Sequence, residues 1–220
     1  MSASKAATTA TKAAHPGDAM APACAKPRVR DRIFETACDL FYKHGIRDVG
    51  VETIATEAGT NKMSFYRSFG SKDELVAEYL EQKGNEFWAW WDDIVARHEG
   101  DARRQIEALF EAFVTGNCGA SSRGCALANA SVELAEGDHP GRQVALKQKS
   151  EMRRRFRELA AGTGARKPDE LGDALMLLME GGSLTRRTFD HGHGPVQSAA
   201  LTARVLVDAY AGLPRRDPAT

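Results

Sequence analysis

The chain has 220 residues, 42% of them apolar and 27% charged, and its 30 lysines and arginines balance 30 aspartates and glutamates. This is the composition of an ordinary globular protein long enough for a sizeable core. A neutral total excludes a non-specific nucleic-acid coat, which carries a domain-wide basic excess, and no apolar run approaches the roughly 18 residues that span a bilayer.

Residues 1–27 are rich in Ala, Thr and Pro. They lack the continuous apolar centre of a secretory signal and the arginines of a transit peptide, so they read as a disordered leader. The four cysteines, Cys24, Cys38, Cys118 and Cys125, contain no C-x-x-C pair. That spacing argues against a disulfide framework or a zinc site and fits a reducing cytoplasm.

Beyond residue 27 the pattern is helical and strand-like alternation is absent, which makes the fold class all-α. A first helix is expected over residues 28–44, where Ile33, Ala37, Leu40, Phe41 and His44 form one stripe and Gly45 ends it. Two short helices follow near 51–58 and 62–68, divided by Gly59-Thr60-Asn61. Ser71 and Glu74 spell a capping box that opens a long helix to about residue 97. Further helices are expected at 102–115, 126–135, 140–160, 169–188 and 195–211, with Gly/Ser-rich and Gly/His-rich breaks at 116–124 and 190–194.

The motif that carries function is V-E-T-I-A-T-E-A-G-T-N-K-M-S-F-Y-R-S-F over residues 51–69. Two short helices around a glycine turn make a helix-turn-helix, whose second helix enters the DNA major groove. Ile54, Ala55 and Ala58 supply the inner face of the first helix, Phe65 and Phe69 that of the second, and Asn61 is its N-cap. At about 100° per residue, Met63, Ser64 and Arg67 then point outward, with Tyr66 flanking. Arginine can read guanine through two hydrogen bonds, and a thioether can lie against a thymine methyl. From Ala58 to Lys72 there are Lys62, Arg67 and Lys72 and no acid, a local positive patch on a neutral chain. Lys72 falls in the first turn of the next helix, within reach of a phosphate.

Four blocks, F-Y-K-H-G, I-A-T-E-A-G, S-F-Y-R-S-F and S-K-D-E-L, stand in order between Arg32 and Leu80, and in this order and spacing they resemble the tetracycline-repressor (TetR) family. Two positions depart from the family pattern: Gly50 stands where a capping, phosphate-touching hydroxyl is usual, and Met63 where glycine or alanine is common. The run R-G-C-A-L-A-N-A-S-V-E-L with a later D-H-P resembles a subgroup. The resemblance implies an N-terminal three-helix DNA-binding domain (28–74), a larger C-terminal helical domain for effector binding and dimerisation (75–212) and a short tail (213–220). It also implies DNA contacts from Thr53 and Asn61, besides the outward residues named above. The expected partners are operator DNA, a second copy and an unidentified small-molecule effector, with no membrane.

For dimerisation the sequence offers Leu175 to Met179, apolar on every side of a helix, and Val196, Leu201, Val205, Leu206, Ala209 and Tyr210 on the last. For the effector it offers Trp88 and Trp91 beside Phe87 and Trp90, with Phe110, Phe113 and Phe156 as further walls; Asn129, Glu133 and Glu180 are polar groups on otherwise apolar helices. Each aromatic reads equally as core, and each polar residue as a solvated edge. Cys125, near Arg123, could be a reactive thiol or a small buried side chain. Arg153, Arg154, Arg155 and Arg157 fit a solvated face better than an acidic partner, and His191 and His193 are too few for a metal. The expected activity is that of a sequence-specific transcriptional regulator, a repressor released by a small molecule. The alternatives are a constitutive regulator or activator of the same fold, and a thiol-based electrophile or redox sensor acting through Cys125. No phosphate loop, nucleophile elbow or metal cluster supports an enzyme, and no cofactor is implied.

Overall fold

The computed structural model describes residues 27–116, 124–134, 138–186, 188–189 and 194–211. The expected leader and tail, and the positions of Cys24, Cys118, Arg123, His191 and His193, lie outside them. Among the described residues the chain is helical throughout: α1 (Val29–His44), α2 (Val51–Glu57), α3 (Lys62–Ser68), α4 (Lys72–Ala96), α5 (Ala102–Thr115), α6 (Ala126–Glu133), α7 (Pro140–Gly162), α8 (Pro168–Thr185) and α9 (Ala199–Ala211).

The helix ends follow their capping residues. Asn61 accepts the Ser64 N–H at 2.9 Å, Ser71 the Glu74 N–H at 3.0 Å and Asp101 the Arg104 N–H at 2.9 Å. The expected capping box is half formed, because the Glu74 carboxylate reaches back past Ser71 and takes the Gly70 N–H at 3.0 Å. The last helix is shorter than its apolar pattern: Pro195–Ser198 is a 3-10 turn and α9 starts at Ala199. Gly194 has φ 107, and Gln197 N–H bonds the Gly194 carbonyl three residues back, tightening the turn after a proline that has no N–H of its own. Pro168 lengthens the start of α8 by one residue, as proline can at a first turn. That helix is assigned only to Thr185, with Arg186 as its cap, short of the expected 188.

Two apolar clusters hold the elements together. The first joins Ile33, Ala37 and Phe41 of α1, Ile54 of α2 with its C-cap Ala58, and Phe65 of α3 to Leu75 and Tyr79 of α4. It also takes in Leu127 and Ala130 of α6 and Val144 of α7, so the head is seated on the body through shared core. The second cluster is built from Trp91, Leu109, Phe110, Phe156, Leu175 and Met179, with α9 closing it through Ala203 and Val207. Helices α7 and α8 approach closely at Gly172, where an added Cβ would lie 2.7 Å from the backbone N and Cα of Arg157. His44, expected on the inner stripe of α1, is exposed because the helix ends there and Ile46 turns inward instead.

Candidate functional site

The outward face of α3 follows from its inward one. Phe65 is fully buried and Phe69 nearly so; their rings lie 5.8 Å apart, and Phe34 of α1 stacks on Phe69 at 6.4 Å. With that side fixed, Met63 is 66% exposed and Tyr66 48%, and Lys62 and Arg67 are exposed as well. Ser64 is half-buried, with its N–H committed to the Asn61 cap and its carbonyl accepting the Ser68 hydroxyl at 2.8 Å. Thr53 is exposed on α2, whose N-cap Gly50 offers no side-chain bond. Lys72 is half-buried at the start of α4; burial pushes its ammonium below the usual range against the pull of Asp73, Glu133 and Asp48. The exposed side chains gathered here are basic, with one thioether and one phenol among them. Such a surface suits contact with a groove.

The body carries a cleft of about 540 Å³ between α4, α5, α7, α8 and the start of α6. This lies within the roughly 300–1,000 Å³ typical of small-molecule sites. Three of the expected effector residues line it: Phe113, Cys125 and Glu180. Phe87 and Trp90 add an aromatic wall, Met152 and Met179 an adaptable one, and Lys83, Glu86, Lys149 and Arg186 polar groups. Lys149 Nζ lies 2.6 Å from Glu180 Oε1 and 3.4 Å from Cys125 Sγ. Burial works against the Lys149 charge, but the Cys125 sulfur and the Glu180 carboxylate outweigh it and hold the ammonium above its usual range. Arg186 stacks over the Phe113 ring and bonds the Phe113 carbonyl.

The other expected effector residues are not on the cleft wall. Trp91, Phe110 and Phe156 are packed edge-on or tilted against one another in the body core, where each is all but solvent-free. Trp88 turns to the opposite side of α4, donating its indole N–H to Gln148 at 2.5 Å under the Arg155 guanidinium. Asn129 lies one turn past the cleft. Glu133 is at the far end of α6, bonded to the head through the N–H groups of Ile46 and Arg47. Lys149 was missed because the sequence flagged residues that interrupt a pattern, and a lysine on a charged helix interrupts nothing. The run Arg153 to Arg157 is neutralised within the fold: Arg153 and Arg157 bond Asp173, Arg154 bonds Glu151, and Arg155 bonds Asp92. Burial drives the Cys38 thiol up to about 12, so it is an inert part of the head core. Among the described residues no group of three or more metal-ligating side chains gathers, and no helix is long and apolar enough to cross a membrane.

Residues 33–79 match the family model described as bacterial regulatory proteins, tetR family. Over 52 residues the chain is 46% identical to the HTH-type transcriptional repressor SCO4008 of Streptomyces coelicolor, covering 24% of this chain and 27% of that protein. Over 89 residues it is 30% identical to an uncharacterised HTH-type transcriptional regulator, YerO, of Bacillus subtilis, covering 38% and 31%. The alignments thus span about a third or less of the length of these curated relatives. The whole fold is similar to that of SCO4454, a TetR-family transcriptional regulator of S. coelicolor, with a TM-score of 0.73 at 27% identity over 83% of this chain and 94% of that one. A crystal structure of a TetR-type regulator of Streptomyces avermitilis, sav143, gives 0.66 at 29% identity, covering 84% and 98%.

Proposed function

From the premise that the chain belongs to the tetR family of bacterial regulatory proteins, we propose that it is a sequence-specific DNA-binding transcriptional repressor, dimeric and released from its operator by a small molecule. Residues 28–74 form the reading head and residues 75–212 the sensing and dimerising body. The observation that carries this reading is α3, anchored by Phe65 and Phe69 so that Met63, Tyr66 and Arg67 are exposed together. In a major groove, Met63, Ser64 and Arg67 meet base edges with Tyr66 beside them, while Thr53, Asn61, Lys62 and Lys72 meet backbone phosphates. The repressor named among the relatives favours repression over activation.

One head spans few base pairs, so a second copy is needed to place two α3 helices in major grooves about 34–36 Å apart. The surface that fits this copy is the outer side of α8 and α9, where Leu177, Leu184, Leu201 and Val205 are exposed. The effector belongs in the cleft. A molecule that binds better to one spacing of the heads draws the population away from DNA by that difference in affinity, and about 1–3 kcal/mol gives roughly five- to 150-fold release. The protein acts in the cytoplasm and turns nothing over. Selection from random duplexes, followed by footprinting, is expected to give a two-fold symmetric site. A protein that ignores duplex DNA at low salt overturns the reading.

The Lys149–Cys125 contact favours a second reading, in which the effector is an electrophile. The Lys149 ammonium stands 3.4 Å from the sulfur, and both line the cleft where a small molecule would lie. Addition to an α,β-unsaturated carbonyl forms a sulfur–carbon bond at the β-carbon, moves the C=C π pair to the enolate and ends with a proton at the α-carbon. Adduct formation at Cys125 with loss of DNA binding, absent in Cys125→Ser, supports it; adduct formation that leaves DNA binding intact rejects it.

A further inference from the structure

We propose that Glu133 is a positioning residue for the DNA-reading head: its carboxylate clasps the corner between α1 and α2 and so fixes where α3 stands relative to the body. The proposal rests on the DNA-binding reading above.

The corner begins at Gly45, whose N–H closes α1 on the Phe41 carbonyl and whose φ of 94 turns the backbone sharply. The next two N–H groups, of Ile46 and Arg47, then converge on one point outside the head. Glu133 Oε2 occupies that point, 2.5 Å from the Ile46 nitrogen and 3.2 Å from that of Arg47. Successive backbone N–H groups gathered in this way make a small anion cradle, and a carboxylate is a strong acceptor for it. Gly45 serves the clasp twice. Any Cβ there would lie 3.1 Å from the carboxylate oxygens, so a side chain would press on the acid as well as strain the turn.

Helix energetics gives no reason for an acid at this position. Glu133 is the last residue of α6, where the helix dipole favours cations, and no basic residue stands in that last turn. What holds the carboxylate in place comes from outside α6, namely the two N–H donors and the attraction of the Lys72 ammonium at the start of α4. Ile46 is buried, and Val49 beyond it is buried at the entrance to α2, so the clasped corner is continuous with the helix-turn-helix core. The body thus grips the α1–α2 corner by two backbone bonds, in addition to the Arg30–Glu78 and His139–Asp73 side-chain pairs, while the apolar contacts of α6 and α7 hold the head across a broad face. Apolar faces tolerate small rotations; two bonds to one oxygen do not.

The test uses the full-length protein and an operator obtained from random duplexes. Its half-sites are reset one base pair closer and one wider, and a single half-site is added. Glu133→Ala is expected to bind the best-spaced operator about tenfold more weakly through lost preorganisation. It should lose much less on the altered spacings, and the single half-site should be bound as by the parent. Glu133→Gln, which keeps an acceptor oxygen, is expected to restore the spacing preference. In the parent the Ile46 and Arg47 amides should resist hydrogen exchange, and Glu133→Ala should release them with helix content unchanged. A parent-like spacing preference in Glu133→Ala overturns the proposal, as does a uniform loss on all sites including the half-site, which marks a merely structural role. If the parent binds no duplex at all, the DNA-binding reading fails first and this one with it, whatever the amides show.

Discussion

Truncating Leu177 or Leu201 to alanine is expected to split the dimer while leaving each subunit folded. Leu177 is 73% exposed and Leu201 64% in the isolated chain, one on α8 and one on α9. Leu184 lies two turns beyond Leu177 and Val205 one turn beyond Leu201, so both helices carry an apolar stripe on their outer sides. The truncation removes three carbons, worth about 2.4 kcal/mol at about 0.8 kcal/mol per buried methylene. Because about two thirds of each side chain is still to be buried by a partner, roughly 1.6 kcal/mol is lost per copy. A two-fold interface meets each substitution twice, which makes about 3 kcal/mol, or a dissociation constant raised roughly 200-fold. Sedimentation across a dilution series reads that shift, and the melting of the dissociated subunit should move little because nothing buried within it is cut. A parent that is monomeric at micromolar concentration, or a Leu177→Ala protein with the parent's dissociation constant, refutes the assignment of α8 and α9 to the interface.

Lys72→Ala is expected to weaken binding to every duplex alike and, if Lys62 and Lys72 of both heads each meet a phosphate, to flatten a salt slope of about −4 by nearly 2. Arg67→Ala should instead relax preference at one base position, read by repeating the selection. Gly50→Thr places a hydroxyl at an N-cap that now has none, in a backbone conformation suited to it and with nothing within 4 Å of the new Cβ. It should raise the melting temperature by an amount worth a few tenths of a kcal/mol and tighten DNA binding through one added phosphate contact. Arg154 and Arg155 hold the Glu151 carboxyl down at about 2 against an ordinary 4.5, and Arg153 with Arg157 holds Asp173 well below its usual range. Depressed carboxylates contribute stability above their unfolded pKa and lose it as pH falls toward the folded one. Because these pairs are largely exposed the effect is small: acid titration of stability should steepen slightly below about pH 4.5, and Asp173→Asn should remove part of that added slope.

The head was legible because its signals are local. Asn61 and Ser71 cap the helices they precede, and the four-residue spacing of Phe65 and Phe69 alone decides which way Met63 and Arg67 face. The cleft was not, because its wall is assembled across long separations. Trp90 and Trp91 are neighbours in sequence and about 100° apart around α4, so one faces the cleft and the other the core, and which side is hollow is decided by α5 to α8 far along the chain. Glu133 was the sharpest failure. A lone acid four residues from Asn129 looked like a ligand anchor, and nothing within α6 reveals that its partners are two backbone N–H groups 86 and 87 residues earlier.

Charge placement follows the same division. The chain is neutral, yet a DNA reader needs cations that are free to meet phosphate. In the body Arg153, Arg154, Arg155 and Arg157 of α7 are tied to Asp173, Glu151 and Asp92. Exposed pairs of this kind add little stability, but they leave almost no field at a distance. On α3, Lys62 and Arg67 make no ion pair with any described residue. The head is neutral in sum as well, so what the zero total conceals is local: the run from Ala58 to Lys72 carries three cations and no acid, beside a body whose charges are largely paired. Attraction to DNA then comes from the α3 surface rather than from the head or the molecule as a whole, which aligns two such surfaces on one duplex without drawing the body onto it. The same arrangement makes the measured salt slope a count of head contacts. A slope that stayed the same when Lys72 was removed from both heads would mean that the cations on the phosphates lie elsewhere on the chain.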